Sequence, residues 1–469
     1  MIVSLSATEL ADRIRSGRLS PVDVVEAHIA RIEATHAALN AVVTPTFDTA
    51  RSEARAAAAA VARGEPLGPL HGVPITVKDS LDVAGARATA GLMSRSDNIP
   101  LRDAVVVARM RTAGAIVLGK TNVPDSCWDQ ETTNLVFGRT NNPWDAARTA
   151  GGSTGGEAAV IAAGGSPLGI ASDIAGSIRM PAHFTGIVGL RPTSAALPED
   201  EHWPRAVGRL ADLEAVGPMA RRVEDVALAF DVMAGVAPAP LDLAALRGRP
   251  LAHWLDDGVV PSSGAVKGGV RAAVGALERA GMIPATGAPR GRVLAVLGWL
   301  ASMGDRERRA VAEAFGNGAP WAPLGEAWRA LRGVGRVSPG ALQYWLASHY
   351  GSLLLSRLGV DGARWRERLR AELADLIGER GVAVSPIFPT TAPRHGWSRR
   401  ALFLAMSYQT WVNLAGLPGL TVPVGRSRNG LPVGVQIVGA PGAERTILAA
   451  GLAVQQALMP LWRGPSRLP

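Results

Sequence analysis

The chain has one cysteine, Cys127, in 469 residues. That excludes an intrachain disulfide and suits a reducing compartment. Beside Trp128, the lone thiol reads as a small buried side chain rather than a nucleophile. Charge is sparse: 19% of residues are charged against 47% apolar, which excludes a mainly disordered chain and leaves ample material for a core. Long apolar runs are missing, and stretches such as 293–303 fall short of the roughly 20 residues a membrane span needs. The first six residues lack the basic start of a signal peptide. There is also no long basic run interleaved with aromatics, so the net charge of +9 does not point to a nucleic-acid partner. The histidines show no zinc-type spacing, and no metal is implied. A soluble cytoplasmic protein is expected.

Lysine is nearly absent. Of 49 basic residues only Lys78, Lys120 and Lys267 are lysines. Arginine does not deprotonate in a protein, whereas a desolvated lysine can become a neutral base. Lys78 ends the apolar run Gly72-Val73-Pro74-Ile75-Thr76-Val77-Lys78. A base delivered at the end of a strand is therefore expected.

Ser6 with Glu9, and Ser20-Pro21 with Asp23, are helix-start signals, so two helices open the chain. From Gly72, short apolar runs at 73–77, 115–118, 168–171 and 187–190 alternate with helical patterns at 103–112 and 156–163. That alternation predicts an α/β fold with helices on the faces of a largely buried sheet. Residues 420–424, Asn429-Gly430 and 433–438 predict a hairpin. The expected organisation is a single domain over 1–469, with N-terminal helices over 1–65, a core over 71–236, a variable helical segment over 237–380, and a return to sheet over 381–463. In the helical segment, Leu342, Trp345, Leu346, His349, Tyr350, Leu353 and Leu354 form one apolar stripe, read first as core. A pocket wall or a lipid-facing surface are its alternatives.

Two motif matches fail on context. Gly114 to Thr121 fits the written phosphate-loop pattern, but 115–118 is a strand and Pro124 blocks a following helix. Gly151-Gly152-Ser153-Thr154-Gly155 fits a nucleophile elbow, but polar, proline-broken residues precede it where a buried strand is required. The longer block does better. Gly151 to Thr193, with Ser172-Asp173-Ile174-Ala175-Gly176-Ser177-Ile178-Arg179 inside it, closely resembles the signature of the amidase signature family. The likeness extends to Gly72–Asp79, Gly119–Pro124, Gly217–Arg221 and Asn413–Pro418. Thr121-Asn122-Val123-Pro124 and Trp203-Pro204-Arg205-Ala206-Val207-Gly208 are similar to the fatty-acid amide hydrolase type 2 branch.

The resemblance implies the amidase signature fold, with a large mixed β-sheet core covered by helices on both faces. It also implies a cofactor-free amidase that turns a carboxamide, with an N-acyl or fatty amide favoured, into an acid and ammonia or an amine. Lys78, Ser153 on a cis peptide, and nucleophilic Ser177 are the implied catalytic triad. Backbone N–H groups of Ile174, Ala175, Gly176 and Ser177 are the implied oxyanion hole, with Thr154, Ser172, Asp173 and Arg179 in support. Ala175 stands where the family has a second glycine, so a positive φ there would strain the turn. A small-molecule amide is the expected partner, and a homodimer is left open. The alternatives are an A-type amidotransferase component that works in a complex, and a catalytically silent partner-binding relative.

Overall fold

The computed structural model describes residues 1–396, 405–459 and 464–465. The helix-start signals form as read. Ser6 and Glu9 make a reciprocal capping box on Ala7–Arg15, and Ser20 caps Pro21–Leu39 with proline in its first turn.

Eleven strands form one sheet. In chain order they are β1 (Val42–Pro45), β2 (Pro74–Lys78), β3 (Ile116–Thr121), β4 (Leu168–Ser172), β5 (Val188–Arg191), β6 (Val216–Ala220), β7 (Pro250–His253), β8 (Ile283–Ala285), β9 (Val382–Ser385), β10 (Gly419–Arg426) and β11 (Pro432–Gly439). Their spatial order is β1-β3-β2-β4-β6-β5-β10-β11-β9-β7-β8. The sheet is mixed. β2 runs parallel to β3 and β4, β7 runs parallel to β8 and β9, and the pairs between these two groups are antiparallel.

All five residues of β2 are buried, and their side chains alternate. Ile75 and Val77 join an apolar cluster with helices Val105–Thr112 and Val223–Ala234. Thr76 points the other way, to Glu157 of helix Gly155–Ala162. Apolar clusters therefore lie on both sides of the sheet, and the polar side chains of β2 face the side that carries the 151–156 loop.

Two readings need correction. The 237–380 stretch, expected to be helical, also contributes β7 and β8 to the sheet. Both are short, and their proline and alanine content hides the alternation that marks a strand. The apolar stripe is only half core: Leu342 and Trp345 are buried, whereas Tyr350 is 50% and Leu354 58% exposed. The buried side of helix Pro339–Arg357 also carries Ser348 and Ser352, small hydroxyl residues that bond back to Tyr344 and His349 carbonyls. The expected end of the last segment at 463 lies outside the described residues.

Candidate active site

Lys78 ends β2 fully buried, and three oxygens surround its ammonium nitrogen. Nζ lies 2.8 Å from Ser153 Oγ, 2.9 Å from Ser172 Oγ and 3.3 Å from the Ser172 carbonyl. The strand pairing explains this meeting. β2 lies parallel to β4, whose last residue is Ser172, while the loop carrying Ser153 leads into the helix packed on the same side. The Gly152–Ser153 peptide is cis. Burial pushes the Lys78 amine down from its ordinary value, and the nearby Cys127, Glu214 and Asp173 only partly offset this.

Ser177 lies just before helix Arg179–Thr185 and makes no hydrogen bond among the described residues. It opens onto a narrow cleft whose apolar wall comprises Trp128, Trp299, Ile174, Ala175, Tyr344 and Met406. Trp128 and Trp299 lie 6.0 Å apart between ring centres, and the Trp299 indole N–H donates to the Ile174 carbonyl at 2.9 Å. A larger surface hollow lined by Trp144, Arg148 and Arg426 shares no residue with this cleft.

The turn from Asp173 to Ser177 is held from below. The Asp173 carboxylate accepts from the Gly176 amide at 2.7 Å, the Ile178 amide at 3.2 Å, Arg179 Nε at 3.0 Å and Asn413 Nδ2 at 2.8 Å. Burial alone would raise this carboxyl, but Arg179, Arg191 and Asn413 outweigh it and hold it well below the usual carboxylate range. Arg179, also fully buried, reaches on to the Gln409 carbonyl and to Gln436. Asp173 and Arg179 thus tie the turn to helix Ser407–Leu414 and to β11. Thr154 donates to the Ser172 carbonyl at 3.3 Å, which joins the two loops directly.

This corrects one oxyanion expectation. The Gly176 amide is already engaged by Asp173, whereas the amides of Ile174, Ala175 and Ser177 have no acceptor among the described residues. The positive φ falls on Gly176, at 101°, and not on Ala175. A Cβ at Gly176 would meet Gln409 Oε1 at 2.1 Å, so glycine is required there.

Two neighbours of Lys78 were not legible in the sequence. The Cys127 thiol lies beside Lys78, Ser153 and Ser80, and burial pushes it up, so it stays protonated. Cys127 also lines the cleft. His202 lies behind Ser172, with Nε2 2.9 Å from Ser172 Oγ and 3.0 Å from Ser80 Oγ. The only available signal was position: Cys127 closely follows the Gly119–Pro124 motif, and His202 directly precedes Trp203-Pro204. Lys120, by contrast, is a buried ion-pair partner of Asp79 at 3.2 Å. Among the described residues no His, Cys, Asp and Glu cluster is placed to hold a metal ion, and no helix is long and apolar enough to cross a membrane.

A lysine whose charged form burial disfavours, beside a serine hydroxyl and near a cleft that displays a second serine, is a set of groups that can carry acyl transfer through serine. Comparison with known proteins gives the family. The family model described as Amidase matches residues 23–292 and 353–448. Fatty-acid amide hydrolase 2-B of Danio rerio is 33% identical over 97% of this chain and 90% of its own length. A glutamyl-tRNA(Gln) amidotransferase subunit from Moorella thermoacetica is 33% identical over 96% of each chain. The solved structure of 6-aminohexanoate cyclic dimer hydrolase complexed with substrate superposes with a TM-score of 0.82 at 25% identity, covering 100% of both chains. The chain belongs to the amidase signature family and is an amide-hydrolysing enzyme of mixed-sheet α/β fold.

Proposed function

We propose that this enzyme hydrolyses a carboxamide bearing an apolar acyl or aryl group to the acid and ammonia or an amine, through an acyl-enzyme on Ser177. The observation that carries this reading is the 2.8 Å contact of buried Lys78 with Ser153 beneath an apolar cleft that Ser177 lines. Ser177 Oγ attacks the carbonyl carbon while Ser153 takes its proton and passes its own to neutral Lys78. The unpartnered amides of Ile174, Ala175 and Ser177 stand ready for the negative charge on the carbonyl oxygen. Lys78 then returns the proton through Ser153 to the leaving nitrogen, and water releases the acid by the same route in reverse.

The tryptophan-lined wall suits an apolar acyl group. Trp299, Tyr344 and Ser348 come from the stretch between the two matched parts of the family model, so this part of the wall belongs to the chain's own variable segment. One polar handle is present: Gln130 lines the cleft with neither its side-chain oxygen nor its nitrogen hydrogen-bonded among the described residues, free to meet the substrate amide.

The test is hydrolysis of a panel of N-acyl, aryl and short aliphatic amides by the isolated chain. Turnover is expected to favour apolar acyl groups and to fall by about 10⁴-fold or more in Ser177→Ala, and comparably in Lys78→Arg. No turnover of any free amide by the isolated chain would favour the amidotransferase reading. Full activity in Lys78→Arg would remove lysine as the base.

A further inference from the structure

A neutral lysine has two N–H protons and one lone pair, and it serves as a base for Ser153 only if the lone pair faces that hydroxyl. Which way the amine turns depends on what the other oxygens around Nζ offer. The Ser172 carbonyl at 3.3 Å only accepts. The Ser172 hydroxyl at 2.9 Å can do either, so its proton decides.

His202 fixes that proton. Its Nδ1 lies 2.9 Å from the Pro204 carbonyl, which can only accept, so Nδ1 carries the hydrogen and Nε2 is a bare acceptor. Glu214 Oε1, 3.5 Å from the same Nδ1, supports that tautomer. Nε2 offers one lone pair, which the Ser172 and Ser80 hydroxyls share at 2.9 and 3.0 Å, and each can bond it only by donating. With its proton committed to His202, Ser172 presents only lone pairs to Lys78. Of the three oxygens around Nζ, Ser153 alone is left with a proton to give.

We propose that His202 is a positioning residue for the reaction, aiming the Lys78 lone pair at Ser153 by holding the Ser172 hydroxyl in its donating orientation away from Lys78. The inference rests on the serine and lysine mechanism above. Burial and Lys78 push the imidazole down to about 3, so His202 stays neutral and its tautomer is constant across the working pH range. The charged or titratable groups that face His202 are Lys78, Asp82 and Glu214, and those that face Lys78 are His202, Cys127, Glu214, Asp173 and Glu157. Among the described residues the Cys127 thiol is the one other donor beside the amine, and a thiol is a weak one.

In His202→Met the acceptor is gone, and Ser172 can turn its proton onto the lysine lone pair. That stabilises neutral lysine while blocking it. The expected result is a fall in kcat of about 10- to 100-fold with little change in KM, together with an acid limb of the pH profile displaced to lower pH by about 0.5–1 unit. Loosened packing that admitted water would move the limb the other way, towards an ordinary lysine. His202→Gln, whose side-chain oxygen can accept both hydroxyls, is expected to restore activity to within about threefold. In a Ser172→Ala background the go-between is missing, so adding His202→Met should change kcat less than about twofold. An acid limb displaced to higher pH, failure of the glutamine to rescue, or full additivity with Ser172→Ala would each overturn the proposal. Lys78→Arg, run alongside, separates the two levels: if it is inactive while His202→Met is fully active, only this inference falls, and if it is active, the mechanism beneath falls as well.

Discussion

Ala175 occupies a position where the family resemblance calls for glycine, and the backbone there does not need one. The left-handed conformation falls on Gly176, so the strain that motivated a catalytically silent reading is absent from Ala175. Ala175→Gly is accordingly expected to change kcat/KM by less than about threefold and to cost about 0.4–1 kcal/mol of stability through the looser unfolded chain. Steady-state kinetics with thermal unfolding checks this, and a tenfold gain in rate would show that the alanine does strain the turn. At this scale the sequence was informative where chemistry is rare: Lys78 stood out because lysine is almost missing, and Ser153 and Ser177 because their motif is long. Cys127 and His202 were not legible, because what gives them meaning comes from elsewhere in the chain. His202 meets Ser80 across 122 positions and Ser172 across 30.

Among elements, the parallel pair β2 and β3 and helix Gly155–Ala162 enclose Glu157, which accepts from Thr76 and, at 2.9 Å, from Thr121. Burial pushes this carboxyl up to about 8, despite the two threonine hydroxyls that lower it. The sign follows from linkage. Between the unfolded value near 4.5 and about 8 the folded state holds a proton that the unfolded state has lost. Glu157 therefore contributes stability that is fully present below the unfolded value and is lost as pH rises through that window. Glu157→Gln stays neutral and can still pair with both hydroxyls. Its melting temperature relative to the parent is expected to rise by a few degrees between pH 5 and pH 8.5, read by thermal scans at each pH, and a difference independent of pH would contradict the account. Six of the eleven strands, β2 to β5 and the hairpin of β10 and β11, were legible from apolar runs bounded by glycine and proline, while β1 and β6 were not read as strands. β7 and β8 were not, because three or four residues with proline and alanine carry no periodic signal.

Across the whole molecule, the site depends on strand order that no local pattern states. Adjacent β2 and β4 bring Lys78 to Ser172, Asp173 and Arg179 tie the Ser177 turn to helix Ser407–Leu414 and β11, and the segment between the matched parts of the family model supplies Trp299 and Tyr344 to the cleft. The resemblance could name the triad, but only the assembled sheet shows how its lysine is buried and which groups surround it. The central claim, that Ser177 is the nucleophile activated through Ser153 and Lys78, is tested most directly by treating the folded enzyme with a fluorophosphonate and locating the adduct by peptide mass spectrometry. The account predicts one adduct, on Ser177, formed at a rate that falls by about 100-fold or more when Lys78 is replaced by arginine. An adduct on Ser153 or Cys127 in place of Ser177, or labelling of Ser177 at an undiminished rate in Lys78→Arg, would contradict it.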